Sequence, residues 1–380
     1  MYRRMLVLLL VCSAGVPAVA QDLSNIQIHG FVTQGLLYSS HNNYFTANTT
    51  NGSVQWTDGA ISVSDSITDK LRVGIQLHMY ELGQLGGPHL DVDWVSGDYR
   101  VKPWLGFRAG KVKTRVGLFN DSQDVDAVHL WALLPESMYQ TDNKSFLLSH
   151  YGFDVYGTMN LGENGGKFLY TGYAGYRDLD LHGGYINTLR QAPLSLEFPT
   201  APSGSIYDGD TRWQTPLRGL TLGISASVSN LKGTALTGGI NAPASLLLAY
   251  YGQYEKGKIY AAAEYRKSPI VGTIPTAFFT VPFSLDQRAW YVMTSYRVAT
   301  KLQVGTYYSH YVDKSKDTTL PANYSKDWTI SGRFDFNQYF YAKVEGHFVH
   351  GTALNFYSIN NPAGDKTTSK LLAVKAGFTF

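Results

Sequence analysis

The sequence predicts an all-β fold: a transmembrane antiparallel β-barrel of about 16 strands, with short turns at one end and long loops at the other. Three observations lead there. Apolar residues recur with a period of two, connection lengths alternate between short and long, and the composition fits neither a soluble domain nor a helical membrane protein. Of 380 residues, 14% are aromatic, with 27 Tyr, and only 16% are charged, below the roughly 25% usual in soluble domains. So aromatic a chain of low net charge is not disordered. Beyond the extreme N-terminus, no apolar run approaches the roughly 20 residues that a membrane helix needs.

Residues 1–20 read as a secretory signal peptide. Arg3 and Arg4 supply the positive region, Met5–Val11 the apolar stretch, and Ala18-Val19-Ala20 the small residues before the cut at Gln21. Cleavage removes two basic residues and lowers the net charge from +3 to +1. It also removes Cys12, the single cysteine, so residues 21–380 hold no disulfide and no Cys-ligated metal. A near-neutral chain also lacks the basic surplus of nucleic-acid binders.

The strands come next. In Trp328–Phe336, Trp328, Ile330, Gly332, Phe334 and Phe336 share one face, opposite Thr329, Ser331, Arg333 and Asp335. Phe340–Phe348 repeats the pattern after a tight Asn337-Gln338-Tyr339 connection. Lys70–Glu81 and Leu220–Val228 alternate likewise. Segments of about 9–13 residues suit tilted membrane strands. Sixteen strand starts result, from Ile26 to Lys370, with alternation weakest near His89 and Ser205.

Short connections are expected near Asp69, Pro103, Gly162–Gly166, Pro216–Gly219, Gly257, Thr300 and Gln338. Long polar loops are expected at 39–53, 83–88, 119–150, 178–204, 232–243, 269–286, 313–324 and 351–369. An even strand count puts both termini on the short-turn side. Aromatic girdles are expected from residues near strand ends: Tyr250, Tyr251, Tyr254, Tyr265, Trp290, Tyr296, Tyr307, Tyr308, Tyr311, Trp328, Tyr339 and Tyr341. Phe380 ends the chain behind alternating Leu372, Val374, Ala376 and Phe378, and is the expected signal to the barrel-assembly machinery.

With these features, residues 21–380 resemble bacterial outer-membrane porins. Within that group, Arg108–Asn120 is similar to the basic strand followed by Gly-Leu-aromatic-Asn of the phosphate-selective porins. It departs from them where Arg115-Val116 replaces the usual Pro, and no arginine ladder is visible, so phosphate selectivity is not carried over. The resemblance implies outer-membrane lipid as surroundings, small hydrophilic solutes as cargo and a homotrimer as assembly.

A sixteen-stranded barrel has room for an aqueous lumen, and the resemblance makes 119–150 the expected inward-folding loop. Its acidic residues Asp121, Asp124, Asp126 and Glu136 are expected to face a basic wall of Arg72, Arg108, Lys111, Lys113 and Arg115 across the constriction. A bulge near Ala109–Lys111 is needed to turn those cations inward; without it some face lipid. Parity also places Arg333, Asp335, Lys343, Glu345 and Lys375 on the lumen wall. Trp131, Tyr139 and Tyr151 are expected to pin the loop, with stacking against a sugar or aromatic solute as the alternative, and Asp208-Gly209-Asp210 to form a turn.

The sequence contains no G-x-S-x-G elbow, P-loop or H-E-x-x-H motif, so no enzyme, metal or cofactor is expected. Passive diffusion is the leading expectation. A plugged barrel acting as an outer-membrane hydrolase or surface adhesin is the alternative.

Overall fold

The computed structural model describes residues 25–83, 85–191, 194–276 and 279–380; the expected signal peptide, 1–20, lies outside them. The strands are β1 (Ile26–Ser39), β2 (Trp56–Ser66), β3 (Leu71–Leu82), β4 (Leu85–Lys102), β5 (Leu105–Lys113), β6 (Ser149–Asn160), β7 (Lys167–Asp178) and β8 (Ser203–Gln214). The second half comprises β9 (Leu220–Ala235), β10 (Gly238–Lys256), β11 (Ile259–Pro275), β12 (Thr280–Ala299), β13 (Leu302–Asp313), β14 (Tyr324–Asp335), β15 (Phe340–His350) and β16 (Thr368–Thr379). Each pairs antiparallel with its sequence neighbours, and β1 closes on β16 from Phe31↔Thr379 to Ser39↔Leu371, leaving no open sheet edge. Two helices lie in loops: α1 (Lys144–Leu148) and α2 (Gly184–Arg190).

The chain is inside out relative to a soluble barrel. Along β15, Tyr341, Lys343, Glu345 and His347 are buried, while Phe340, Val344 and Phe348 are exposed. Strand β14 repeats this, with Asp327, Thr329 and Ser331 inside and Trp328 and Ile330 outside. An outer wall of exposed Val, Ile, Leu and Phe around a polar interior suits lipid, where every backbone donor must be satisfied within the closed ladder.

All seven short turns fall where alternation places them. Three expected loops do not exist as loops. The segments 83–88, 232–243 and 269–286 are mostly the paired ends of β3–β4, β9–β10 and β11–β12, with the pairing of β11 and β12 running to Pro275↔Thr280. These ends lie at the long-loop side. A ladder wetted on both faces needs no apolar alternation, and Pro243 sits where the register shifts between Ala242 and Ser245. The long connections are 40–55, 114–143 with α1, 179–202, 314–323 and 351–367.

The girdle expectation needs a correction. Tyr250, Tyr265, Tyr296, Trp328 and Tyr339 are exposed on the outer wall, whereas Tyr251, Tyr307, Tyr311 and Tyr341 are buried in the lumen. Parity separates them, since Tyr250 and Tyr251 are consecutive and face opposite ways.

Candidate pore constriction

The chain leaves the wall at Lys113, crosses the lumen as 114–143, and returns through α1 to β6. Its neck is closed by Thr114 N–H donating to Leu148 O and by the Asn120 amide donating to Thr114 O and Leu147 O, each at 2.8 Å. Gly117 follows with φ +70, a conformation that L side chains rarely adopt. The tight turn delivers the backbone to the far wall. Gly117 N–H donates to Ser225 Oγ at 2.9 Å, and Arg212 on β8 donates to Gly117 O at 2.9 Å.

The loop then hangs on side chains from most of the barrel's circumference. The Tyr139 hydroxyl accepts the N–H groups of Leu118 and Phe119 and donates to Glu264 at 2.5 Å. Arg266 donates to Met138 O, Tyr307 to Leu133 O, and Arg333 to Ala127 O and His129 O. Glu345 accepts Ala132 N–H at 3.1 Å and Leu133 N–H at 3.0 Å. Apolar contacts reinforce both sides. Leu130, Trp131, Leu134 and Met138 pack with Tyr251, Tyr291, Met293 and Tyr307; Ala132 and Leu133 pack with Leu37, Trp56, Val349 and Leu371. Trp131 meets the Tyr307 ring edge-on at 5.0 Å, so Trp131 and Tyr139 pin the loop.

The acidic residues do not face the basic wall across open space; they touch it. Arg115 meets Asp121 at 3.0 Å and Lys113 meets Asp124 at 2.5 Å. Asp126 pairs instead with Lys375 at 2.7 Å and Lys343 at 2.9 Å, across the lumen from β5. Burial alone would raise the Asp126 carboxyl, but these two ammonium groups outweigh it and hold it well below the usual carboxylate range. Glu136 turns from the wall toward the loop 351–367, accepting Thr141 N–H at 3.0 Å and the Asn355 amide at 3.2 Å. Burial, aided by the Asp142 charge, pushes its carboxyl up to about 8. His129 is depressed to about 4 by burial and donates Nε2–H to Ser122 O at 2.9 Å.

The basic wall is only partly as expected. Arg108 is lumenal but sits 3.8 Å from Asp154 and 3.9 Å from Asp98, over the Tyr156 ring. Arg72 lies near the short-turn end, bonded to Ser64 and Gln27, away from the loop. Lys111 leaves β5 on its outward parity, against Tyr151 and the Val92 carbonyl, and from there its side chain borders the cavity that also holds Asp91 and Asp93. The pairing of β5 with β6 is unbroken from Gly106 to Lys113, so no bulge rotates Lys111 inward. Lys113 reaches the lumen because it ends the strand, three residues beyond Gly110 with φ +128.

Of the other wall residues, Lys343, Glu345 and Lys375 hold the loop, and Arg333 also pairs with Asp335 at 2.8 Å. Asp208 and Asp210 lie within β8, not in a turn; Asp210 accepts Ser225, Tyr251 and Arg212. Phe380 exchanges backbone hydrogen bonds with Gly30 at 3.0 and 3.1 Å, at the β1–β16 seam. Sequence reading missed Asp58, which takes Lys144 at 3.0 Å and His78 at 2.7 Å. It also missed His347, between Asp327 and Glu345. Inward parity marks Asp58, His78 and His347 as lumenal, but no local signal names their partners.

Three spaces surround the loop. A cavity of about 480 Å³ lies toward β3–β7 and includes Asp91, Asp93, Asp142, Lys111 and Lys144. A second, of about 200 Å³, lies beneath the 179–202 loop against β9–β12. A gap of about 40 Å³ remains at the loop itself, between Trp56, Asp58, Gln123, Asp126 and Lys375.

A closed sixteen-stranded barrel, apolar outside and charged inside, with a long loop folded into its lumen, has the architecture of an outer-membrane porin. Among solved structures it is similar to the anion-selective porin from Comamonas acidovorans, at 11% identity and TM-score 0.59, covering 93% of this chain and 99% of that one. It is similar too to the outer-membrane channel DcaP of Acinetobacter baumannii, at 11% identity and TM-score 0.56, covering 97% and 100%. The trimer form of the outer-membrane protein OmpT of Vibrio cholerae matches at 10% identity and TM-score 0.56, covering 93% and 99%. Likeness at this identity establishes the fold. No protein-family model and no curated protein matches the sequence.

Proposed function

We propose that this chain is a porin of the bacterial outer membrane through which small hydrophilic solutes or ions diffuse passively past the inward loop. One observation carries the reading: a lipid-compatible wall encloses a lumen lined by ion pairs and crossed by a tethered loop. Charged groups fixed in a narrow, low-dielectric opening set ion preference. Asp121, Asp124 and Asp126 supply the loop's negative charge, with Arg115 beside them on the loop; Arg108, Lys113, Lys343 and Lys375 supply the wall's positive charge. Assembly as a homotrimer is part of the proposal, supported by the trimer form of one similar structure. Phe380 is the proposed signal to the assembly machinery.

Planar-bilayer recording of the refolded protein tests this reading, and a folded preparation without conductance sinks it. Asn in place of Asp121, Asp124 and Asp126 together should move the reversal potential in a salt gradient toward anion preference. An unchanged potential would remove the loop from the conduction path.

The loop's contacts around the wall favour a second reading, a barrel plugged by its own loop and working as a surface hydrolase or adhesin. Liposome swelling separates the two, because a plugged barrel admits no solute.

A further inference from the structure

The 200 Å³ cavity differs in electrostatics from the rest of the lumen. Among the described residues, its charged lining is Arg177 and Arg266, and no carboxylate lines it. The neighbouring 480 Å³ cavity, which shares Arg177, is lined by five aspartates. At the inward loop the cations are matched to acids: Lys113, Arg115, Lys144, Arg212, Lys343 and Lys375 each have a carboxylate within 3.0 Å. Arg177 has no hydrogen bond or ion pair among the described residues. Its guanidinium lies 4.6 Å from the Phe146 ring, which fixes its plane without using its donors. Arg266 spends part of its fork on Met138 O and Ser137 O, leaving further N–H groups.

The remaining lining is mainly apolar, from Phe146, Leu179, Leu189, Ile240, Ile270 and Phe283, with Ser and Asn side chains between. Two cationic forks set in an apolar wall reward a ligand with an anionic head and an apolar body. A cation meets two guanidinium groups and no lining carboxylate among the described residues, and a bare anion forfeits the apolar contact. The 179–202 loop, carrying α2, packs its Leu179, Ile186, Leu189 and Phe198 against Ala235 and Ile240, and so roofs the cavity rigidly.

We propose that this cavity is a solute-binding site for small carboxylic acids with an apolar body, the carboxylate taken by Arg177 and the body by the wall beneath the 179–202 loop. The proposal deepens the porin reading by naming a solute class, and it rests on a lumen open to solutes at the long-loop end.

Calorimetric titration of the full chain in neutral micelles, corrected for empty micelles, tests it directly. Hexanoate should bind at least tenfold more tightly than hexylammonium, 1-hexanol or acetate. Arg177→Gln should weaken hexanoate about tenfold and Arg177→Lys should recover part of the loss. Ser229→Asp, which places a carboxylate in the cavity, should reverse the preference toward hexylammonium, and tests the proposal even if the arginine variant does not fold. Equal binding of hexanoate and hexylammonium, or an unchanged response in Arg177→Gln and Ser229→Asp, overturns it. Because binding is read without conduction, conductance without hexanoate binding refutes this site alone. Hexanoate binding without conductance refutes the diffusion reading alone.

Discussion

Asp126 holds two buried ammonium groups and the Tyr341 hydroxyl at once, and it is the main electrostatic tie between loop and wall. Its folded pKa is depressed, so this tie contributes fully above the ordinary value of about 3.9 and is lost as pH falls below it. Replacing it by Asn leaves Lys343 and Lys375 facing a neutral amide. Breaking a buried pair costs about 3–5 kcal/mol, so Asp126→Asn should unfold at lower denaturant concentration and show noisier, more anion-selective currents. Glu136 behaves oppositely. Its folded pKa is raised to about 8, above an unfolded value near 4.3. The group therefore costs nothing in acid, and its penalty grows as pH rises from about 4 to 8. Above about 8 it ionises in place, where burial and the Asp142 charge disfavour the anion and the donors Thr141 and Asn355 offset that only in part. Corrected for the base-catalysed rise common to all amides, protection from hydrogen exchange in 136–143 should fall between pH 6 and 9, and Glu136→Gln should abolish that fall. Equal pH dependence in both proteins would assign the effect elsewhere.

The inward loop works as an element because one residue aims it. A Cβ on Gly117 would lie 2.9 Å from the Tyr139 hydroxyl and closer still to Glu264, in a backbone conformation costly for alanine. Gly117→Ala should destabilise the loop by about 1–3 kcal/mol and raise single-channel conductance by releasing the Tyr139–Glu264 anchor. A crystal structure with the loop unmoved would refute this. Which parts of this element were legible follows from range. The loop's acidic content and the basic strand before it are sequence-local, but the two were expected to face each other across an opening, whereas Lys113 touches Asp124. Asp126 was expected against that same strand, yet meets β15 and β16, more than 200 residues further on. Lys111 was misplaced for a subtler reason. Its orientation depends on whether β5 contains a bulge, and a one-residue slip inverts every side chain. The extended ends of β9–β12 escaped notice because hydrated ladders carry no apolar period.

At the scale of the whole molecule, the outward face belongs to lipid. Val344 is 52% exposed at the middle of β15. An Arg placed mid-bilayer on such a face costs about 2–4 kcal/mol. Val344→Arg should lower stability in lipid vesicles by that amount, while Ser331→Ala in the lumen should change it far less; equal effects would mean that this face does not contact lipid. The sequence by itself determined the architecture: strand number, turn–loop asymmetry, which end holds the termini, and which face of β14–β16 is apolar. It could do so because period-two hydropathy and turn residues are local consequences of a wall with lipid on one side and water on the other. Only the tertiary structure decided how the lumen is filled. The tyrosines divided between girdle and interior, aspartates chose lysines from distant strands, and two arginines came to line an apolar cavity. Those outcomes depend on barrel closure, which brings residues hundreds of positions apart within hydrogen-bond distance, and no local pattern encodes that distance.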